Sequence, residues 1–177
     1  WKMGKKISID SATMMNKVFE IIEAKKIFGI DYNKLSIFIH PMSYVHSILK
    51  FKNGISKIII HDTDMKIPIY NTLYPLNKIN IKTKNLSTKI LNKLSFDDVN
   101  VKKFPVVKIL NLLPSKPSLY ETVVVSANDE LVRLFLNNKI KFIDIHKKLL
   151  KFINIAEFIM YKKKTPRNVN DIMELDK

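Results

Sequence analysis

Hydrophobic and polar positions change period near the middle of the chain. The first part alternates its elements in an α/β manner. Residues 6–10, Lys-Ile-Ser-Ile-Asp, carry a β-branched residue at every second position and predict a short strand. Residues 11–28 repeat apolar side chains at helical spacing, and Gly29 is placed to stop that helix. Residues 35–40 and 45–51 predict apolar strands, the second closed by a turn at Asn53 and Gly54. Residues 55–60 predict a third strand, and 65–73 a helix around Pro68. Residues 75–100, rich in Asn, Lys and Ser, predict a connecting segment. From Phe104 the period is helical: 105–113, 120–138 and 143–160 predict three helices, and 168–177 the start of a fourth that is cut off. The expected fold class is an α/β (α+β) domain with a small mixed sheet over 1–74, a connecting segment over 75–100, and a C-terminal helical bundle domain over 101–177. The chain has three glycines and no Gly-rich strand–turn–helix unit, so a Rossmann domain for a dinucleotide is expected to be absent from it.

The segment from Asp10 to Glu20 holds the candidate chemistry. At about 100° per residue, Met14, Met15, Val18, Phe19, Ile21 and Ile22 fall on one arc. Thr13, Asn16, Lys17, Glu20 and Glu23 fall on the other. A hydroxyl near a helix start, followed by an amide and an ammonium on one face, suits a phosphate, which free N–H groups and the positive dipole end help to hold. A carboxylate one turn on suits a hard divalent ion, provided other oxygen ligands arrive from elsewhere. A polar face of this kind is equally what a solvated helix with a capping residue and an exposed ion pair presents.

Composition alters this picture only modestly. The formal charge is +15 with a pI near 9.8, which raises nucleic acid and anionic lipid as partners. Yet the cations are lysines apart from Arg133 and Arg167, and they are scattered along the chain, whereas nucleic-acid readers favour arginine's planar fork. Solvated surface charge is the simpler reading, and neither nucleic acid nor a membrane is an expected partner. No apolar run reaches the length of a membrane span. Without cysteine there are no disulfides or thiolate metal sites.

The run Met3-Gly4-Lys5-Lys6-Ile7-Ser8-Ile9-Asp10-Ser11-Ala12-Thr13-Met14-Met15-Asn16-Lys17 closely resembles the DSATMMNK block of the 1-deoxy-D-xylulose 5-phosphate reductoisomerase family. Further blocks follow in order. His40-Pro41-Met42-Ser43-Tyr44-Val45-His46-Ser47 is similar to the family's HPQSxxHS, and Asp64-Met65-Lys66-Ile67-Pro68-Ile69 to its PDMRxPI. Leu94-Ser95-Phe96 and Phe104-Pro105 resemble its LTF and FPCLKLA, and Ser126-Ala127-Asn128-Asp129 its NAANE. The resemblance covers essentially the whole chain.

This resemblance implies an NADPH-dependent oxidoreductase and isomerase using Mg²⁺ or Mn²⁺. It would rearrange and reduce 1-deoxy-D-xylulose 5-phosphate, a small phosphorylated sugar, to 2-C-methyl-D-erythritol 4-phosphate in non-mevalonate isoprenoid biosynthesis. Carried over residue by residue, Ser11, Asn16 and Lys17 match phosphate-binding positions, and Glu20 a carboxylate that ligates the metal and contacts substrate. Glu20 and Lys17 are thereby the candidate catalytic residues. Trp1 matches the tryptophan of a mobile loop that closes over substrate. Met3 and Gly4 lie where that loop meets NADPH, Met65 matches a methionine near the nicotinamide, and His46 a histidine close to the active site. The family implies a homodimer, a dinucleotide domain and further acidic ligands upstream, and hence an inactive fragment when this chain stands alone. Family and Lys/Asn/Ile bias together imply a plastid resembling that of a parasite.

The sequence also departs from the pattern: Val18 stands for a usual glycine, His61 and Thr63 replace a glycine and a proline, and Val106, Val125 and Asp129 replace a cysteine, an asparagine and a glutamate. None removes a residue assigned to phosphate or metal. The alternatives are a catalytically degenerate homologue kept for a structural role, and a lysine-rich protein binding nucleic acid or anionic lipid.

Overall fold

The computed structural model describes residues 3–75, 81–84 and 86–176. Among these, the helices are α1 (Lys5–Thr13), α2 (Met15–Phe28), α3 (Lys66–Leu73), α4 (Thr88–Leu91), α5 (Tyr120–Leu136), α6 (Phe142–Phe152), α7 (Ala156–Ile159) and α8 (Val169–Leu175). The strands are β1 (Phe38–Ile39), β2 (Val45–Lys50), β3 (Ser56–Ile60) and β4 (Asp97–Asp98). Packing divides the chain into one unit of Trp1–Ile37 with Val99–Lys177 and another of Phe38–Asp98.

In the first unit α2 is amphipathic, with Met15, Val18, Ile21 and Ile22 buried. Met15, Val18 and Ile22 join Val106, Ile109, Leu113, Tyr120, Val124, Leu149 and Ile153 in one core. Each such aliphatic side chain, once fully buried, contributes about 1.5–3 kcal/mol against its exposed state. The core therefore ties α2 to the 3₁₀ segment Pro105–Asn111, α5 and α6. Gly29, at φ 63°, ends α2 in the left-handed conformation that glycine adopts without a Cβ clash, and its N–H donates to the Lys25 carbonyl at 2.9 Å. The N-terminus of α5 is fixed by a buried carboxylate: Glu121 Oε2 accepts from Ser118 N and Oγ at 3.0 and 2.7 Å, while Lys26 Nζ reaches Oε1 at 3.2 Å.

Among its described residues the second unit holds two antiparallel ladders. β1 pairs with β4, and β2 pairs with β3 across a turn in which Gly54 has φ 87°. Ile55 N donates to Asn53 Oδ1 at 3.1 Å, so the turn residues named from sequence close this hairpin.

Several expectations change. Residues 6–10 lie within helix α1 instead of a strand, and the one position they bury, Asp10, shares a helical face with Thr13 at i, i+3. The single helix expected over 11–28 is broken at Met14. The strand over 35–40 shrinks to Phe38–Ile39, and the mixed sheet is two small antiparallel ones. Within 105–113 the helix is a 3₁₀ segment, Pro105–Asn111, and 143–160 is divided among α6, α7 and a 3₁₀ turn at Met160–Lys163. The connecting segment contains α4 and β4. Packing also divides the chain differently from 1–74, 75–100 and 101–177, since α2 shares a core with the C-terminal helices and α1 is tied to α5 by the Asp10–Asn128 hydrogen bond.

One titration bears on stability. Burial on α6 holds the His146 pKa below the ordinary 6.5, assisted by Lys147 and opposed by Asp144. The unfolded chain therefore takes up this proton first: the contribution is full above pH 6.5 and is lost as pH falls through the lower folded value. Urea unfolding should show a midpoint dropping below pH 6.5, and His146→Gln should flatten that slope.

Candidate functional site

The local geometry is made by Met14. Its φ of 68° ends α1, and its N–H donates to the Ser11 carbonyl at 3.2 Å. Thr13 Oγ1 donates to the Asp10 carbonyl at 3.1 Å and accepts from Met15 N at 3.3 Å, bridging the two helices. The result is an elbow, with Ser11 on its first arm and Asn16, Lys17 and Glu20 on its second. The helix start that offers its positive end to an anion is thus that of α2, not a start at Ser11 as expected from the sequence.

Beyond the elbow, three side chains meet. Asn16 Nδ2 donates to Glu20 Oε1 at 2.8 Å, and Lys17 Nζ donates to Oε1 and Oε2 at 2.9 and 2.7 Å. Lys17 and Glu20 remain close to half exposed. An exposed ion pair of this kind adds little to stability, so the arrangement is free to be exchanged for contacts with a ligand. Ser11 is half-buried, and its hydroxyl forms no hydrogen bond among the described residues. Thr13, expected on the outward face, is buried.

Of the other candidates, Met3 and Gly4 lie at the start of α1, and His46 and Met65 belong to the second unit. Gly4 caps α1 through its carbonyl, which accepts from Ser8 N and Oγ at 3.0 and 3.1 Å. Met3 beside it is exposed. Met65 precedes α3 in the second unit and is exposed. His46, in the same unit, stacks on His61 with ring centroids 3.5 Å apart. Trp1 lies outside the described residues.

From sequence Asp10 is at most a cap for the helix that follows, and its buried partners are not assigned there. Its carboxylate is buried, with Oδ1 accepting from Asn128 Nδ2 at 2.8 Å and Oδ2 from Lys6 Nζ at 2.9 Å. Lys6 Nζ also lies 2.9 Å from Asp129 Oδ1. Burial pulls the Lys6 pKa down, but hydrogen bonds and charge from Asp10 and Asp129 outweigh it and the net direction is up. A signal was present: Val124, Asn128 and Val132 repeat at one-turn spacing, so Asn128 is an amide within an apolar stripe and requires a buried partner.

A model of the DXP reductoisomerase C-terminal domain matches residues 60–177, and a second, of the 1-deoxy-D-xylulose 5-phosphate reductoisomerase C-terminal domain, matches 1–28. The chain belongs to the 1-deoxy-D-xylulose 5-phosphate reductoisomerase family. The reductoisomerase of Pelagibacter ubique is 56% identical over 176 residues, covering 99% of this chain and 45% of that protein. That of Chloroherpeton thalassium is 42% identical over 146 residues, covering 82% and 38%. Among solved structures, the Zymomonas mobilis reductoisomerase in complex with NADPH superposes with a TM-score of 0.80 at 32% identity, covering 97% of this chain and 44% of that one. A DOX-P reductoisomerase in complex with NADPH, fosmidomycin and magnesium reaches 0.85 at 30% identity, covering 99% and 44%. The chain thus spans less than half the length of these reductoisomerases. The expected fold class, an α/β (α+β) domain with a small sheet followed by a C-terminal helical bundle, holds in outline: the fold these structures share with the chain is helix-rich with small sheets.

Proposed function

We propose that this chain is the phosphate-gripping part of an enzyme that converts 1-deoxy-D-xylulose 5-phosphate to 2-C-methyl-D-erythritol 4-phosphate, with NADPH as reductant. The observation that carries this reading is the convergence of Asn16 and Lys17 on Glu20 within the first two turns after a helix elbow, in a member of the reductoisomerase family. Lys17 and Asn16 swing from Glu20 to the substrate phosphate, Ser11 adds its hydroxyl, and the first turn of α2 adds its positive end. Anchoring the phosphate holds the reacting carbons in place, so that remote binding energy serves the rearrangement.

Magnesium or manganese would supply electrophilic polarisation of the substrate oxygens. Glu20 offers such an ion one carboxylate, and the described residues contain no group of three His, Cys, Asp or Glu that could complete a shell. The described residues alone do not fit a divalent ion, and the remaining ligands are assigned to residues outside this chain. The same holds for NADPH: the resemblance assigns Met3, Gly4 and Met65 to it, and the described residues supply no dinucleotide fold.

The working form is a homodimer. The β2–β3 hairpin is two-stranded among the described residues and exposes Ile48, Leu49, Ile58 and Ile59 by 41–48%. A lone hairpin with such faces is marginal in water, and pairing with a second copy covers it.

Two preparations test the function. The 177-residue chain by itself should oxidise no NADPH in the presence of 1-deoxy-D-xylulose 5-phosphate and Mg²⁺. A chimera in which it replaces the matching part of the Pelagibacter ubique reductoisomerase should be active. An inactive but folded chimera would point instead to the degenerate homologue.

A further inference from the structure

Asn128 is completely buried in α5, in register with Val124 and Val132, yet its Oδ1 has no hydrogen-bond partner among the described residues. Packing alone would favour an aliphatic side chain there, because a buried acceptor without a partner is costly. The amide is retained for its other end. Nδ2 donates to Asp10, and the opposite rotamer would set an oxygen against a carboxylate. Asp10 in turn is the residue immediately before Ser11, and its own carbonyl accepts from Thr13, whose hydroxyl receives the first N–H of α2. Lys6 closes the network on the other carboxylate oxygen and extends it to Asp129 on α5. The elbow is therefore tied to α5 by side-chain hydrogen bonds, at the point where its two arms diverge.

We propose that Asp10, clamped by Asn128 and Lys6, is a positioning residue that fixes the elbow at Met14, and with it the direction of Ser11 relative to Asn16, Lys17 and Glu20. The inference rests on the phosphate-gripping role proposed above and adds that the grip is set from beneath by α5. Asp10 touches no ligand itself. It acts through Ser11 and through the first turn of α2.

The test uses the Pelagibacter ubique chimera and a pair exchange. Asp10→Asn, near-isosteric and neutral, faces two amides toward each other, and Asn128→Asp faces two carboxylates. The double variant Asp10→Asn with Asn128→Asp restores an amide against a carboxylate. Each single variant should raise KM for 1-deoxy-D-xylulose 5-phosphate about tenfold or more, since small misplacements of a gripping group carry effects up to about 100-fold. KM for NADPH should stay unchanged, and the double variant should recover most of the loss. A merely structural role would lower the amount of active enzyme, reducing kcat with both KM values intact; that result overturns the proposal, as does a double variant no better than the singles. An inactive unsubstituted chimera overturns the functional reading and this inference with it, whereas an active chimera with unaltered single variants overturns this inference alone.

Discussion

Glu20→Gln in the chimeric enzyme should lower kcat/KM by about 10²- to 10³-fold, the range associated with loss of one preorganised electrostatic group. The substitution keeps the shape of the side chain and removes its charge. In the structure that charge holds Lys17 with two hydrogen bonds and Asn16 with one. Without it the ammonium loses its resting partner, and the site loses the carboxylate assigned to the divalent ion, for which an amide oxygen is a weaker ligand. Stability should hardly change, because an exposed pair contributes little to folding. Glu23→Gln is the matched control: Glu23 is exposed on the same helix and makes no ion pair among the described residues. Steady-state assays of the two variants, with urea unfolding of each, separate the outcomes. Equal activity of Glu20→Gln and Glu23→Gln would defeat the assignment of Glu20, and a large loss of stability in the former would move its role into the fold.

The sequence made the trio legible for a physical reason. Asn16, Lys17 and Glu20 sit on the polar face of a helix whose other face is Met15, Val18 and Ile22, so the 3.6-residue period locates both faces at once. The β2–β3 hairpin was legible through Asn53-Gly54, whose turn geometry is local. The elbow was hidden because α1 buries Asp10 and Thr13 while leaving Ile7 half exposed. A reading based on hydrophobic period treats Ile7 and Ile9 as the inward positions of a strand and cannot see a helix whose inner face is polar. The pairing of Asp10 with Asn128 spans 118 residues, and no local pattern encodes a contact at that separation. The same long-range packing placed α1 and α2 with the C-terminal helices, against a division expected from the order of elements along the chain.

Tyr120→Ala should be the most destabilising single change in the first unit, at about 3–5 kcal/mol, out of a total that for domains of this kind is about 5–15 kcal/mol. Tyr120 is fully buried at the start of α5 and packs in the same core as Met15 and Val18 of α2, Leu149 of α6 and Ile153, which caps α6. Truncation removes the ring that these helices share, and collapse around the void would have to move three of them. The hydroxyl adds a second constraint: it donates to the Ile153 carbonyl at 2.9 Å, and burial raises its pKa, so it remains protonated as a donor. Tyr120→Phe keeps the ring and the Lys162 ammonium 4.7 Å above its centroid but strands that carbonyl, at a cost of about 1–3 kcal/mol. In urea unfolding of the isolated chain, both variants should shift the midpoint to lower denaturant with the slope unchanged, alanine more than phenylalanine. Equal shifts would mean that the hydroxyl, and not the packing of α2 against α5, holds this core together. Because Met15 and Val18 flank Asn16 and Lys17 in sequence and share the Tyr120 core, the alanine variant of the chimera should also lose phosphate affinity at temperatures where its fold is still intact.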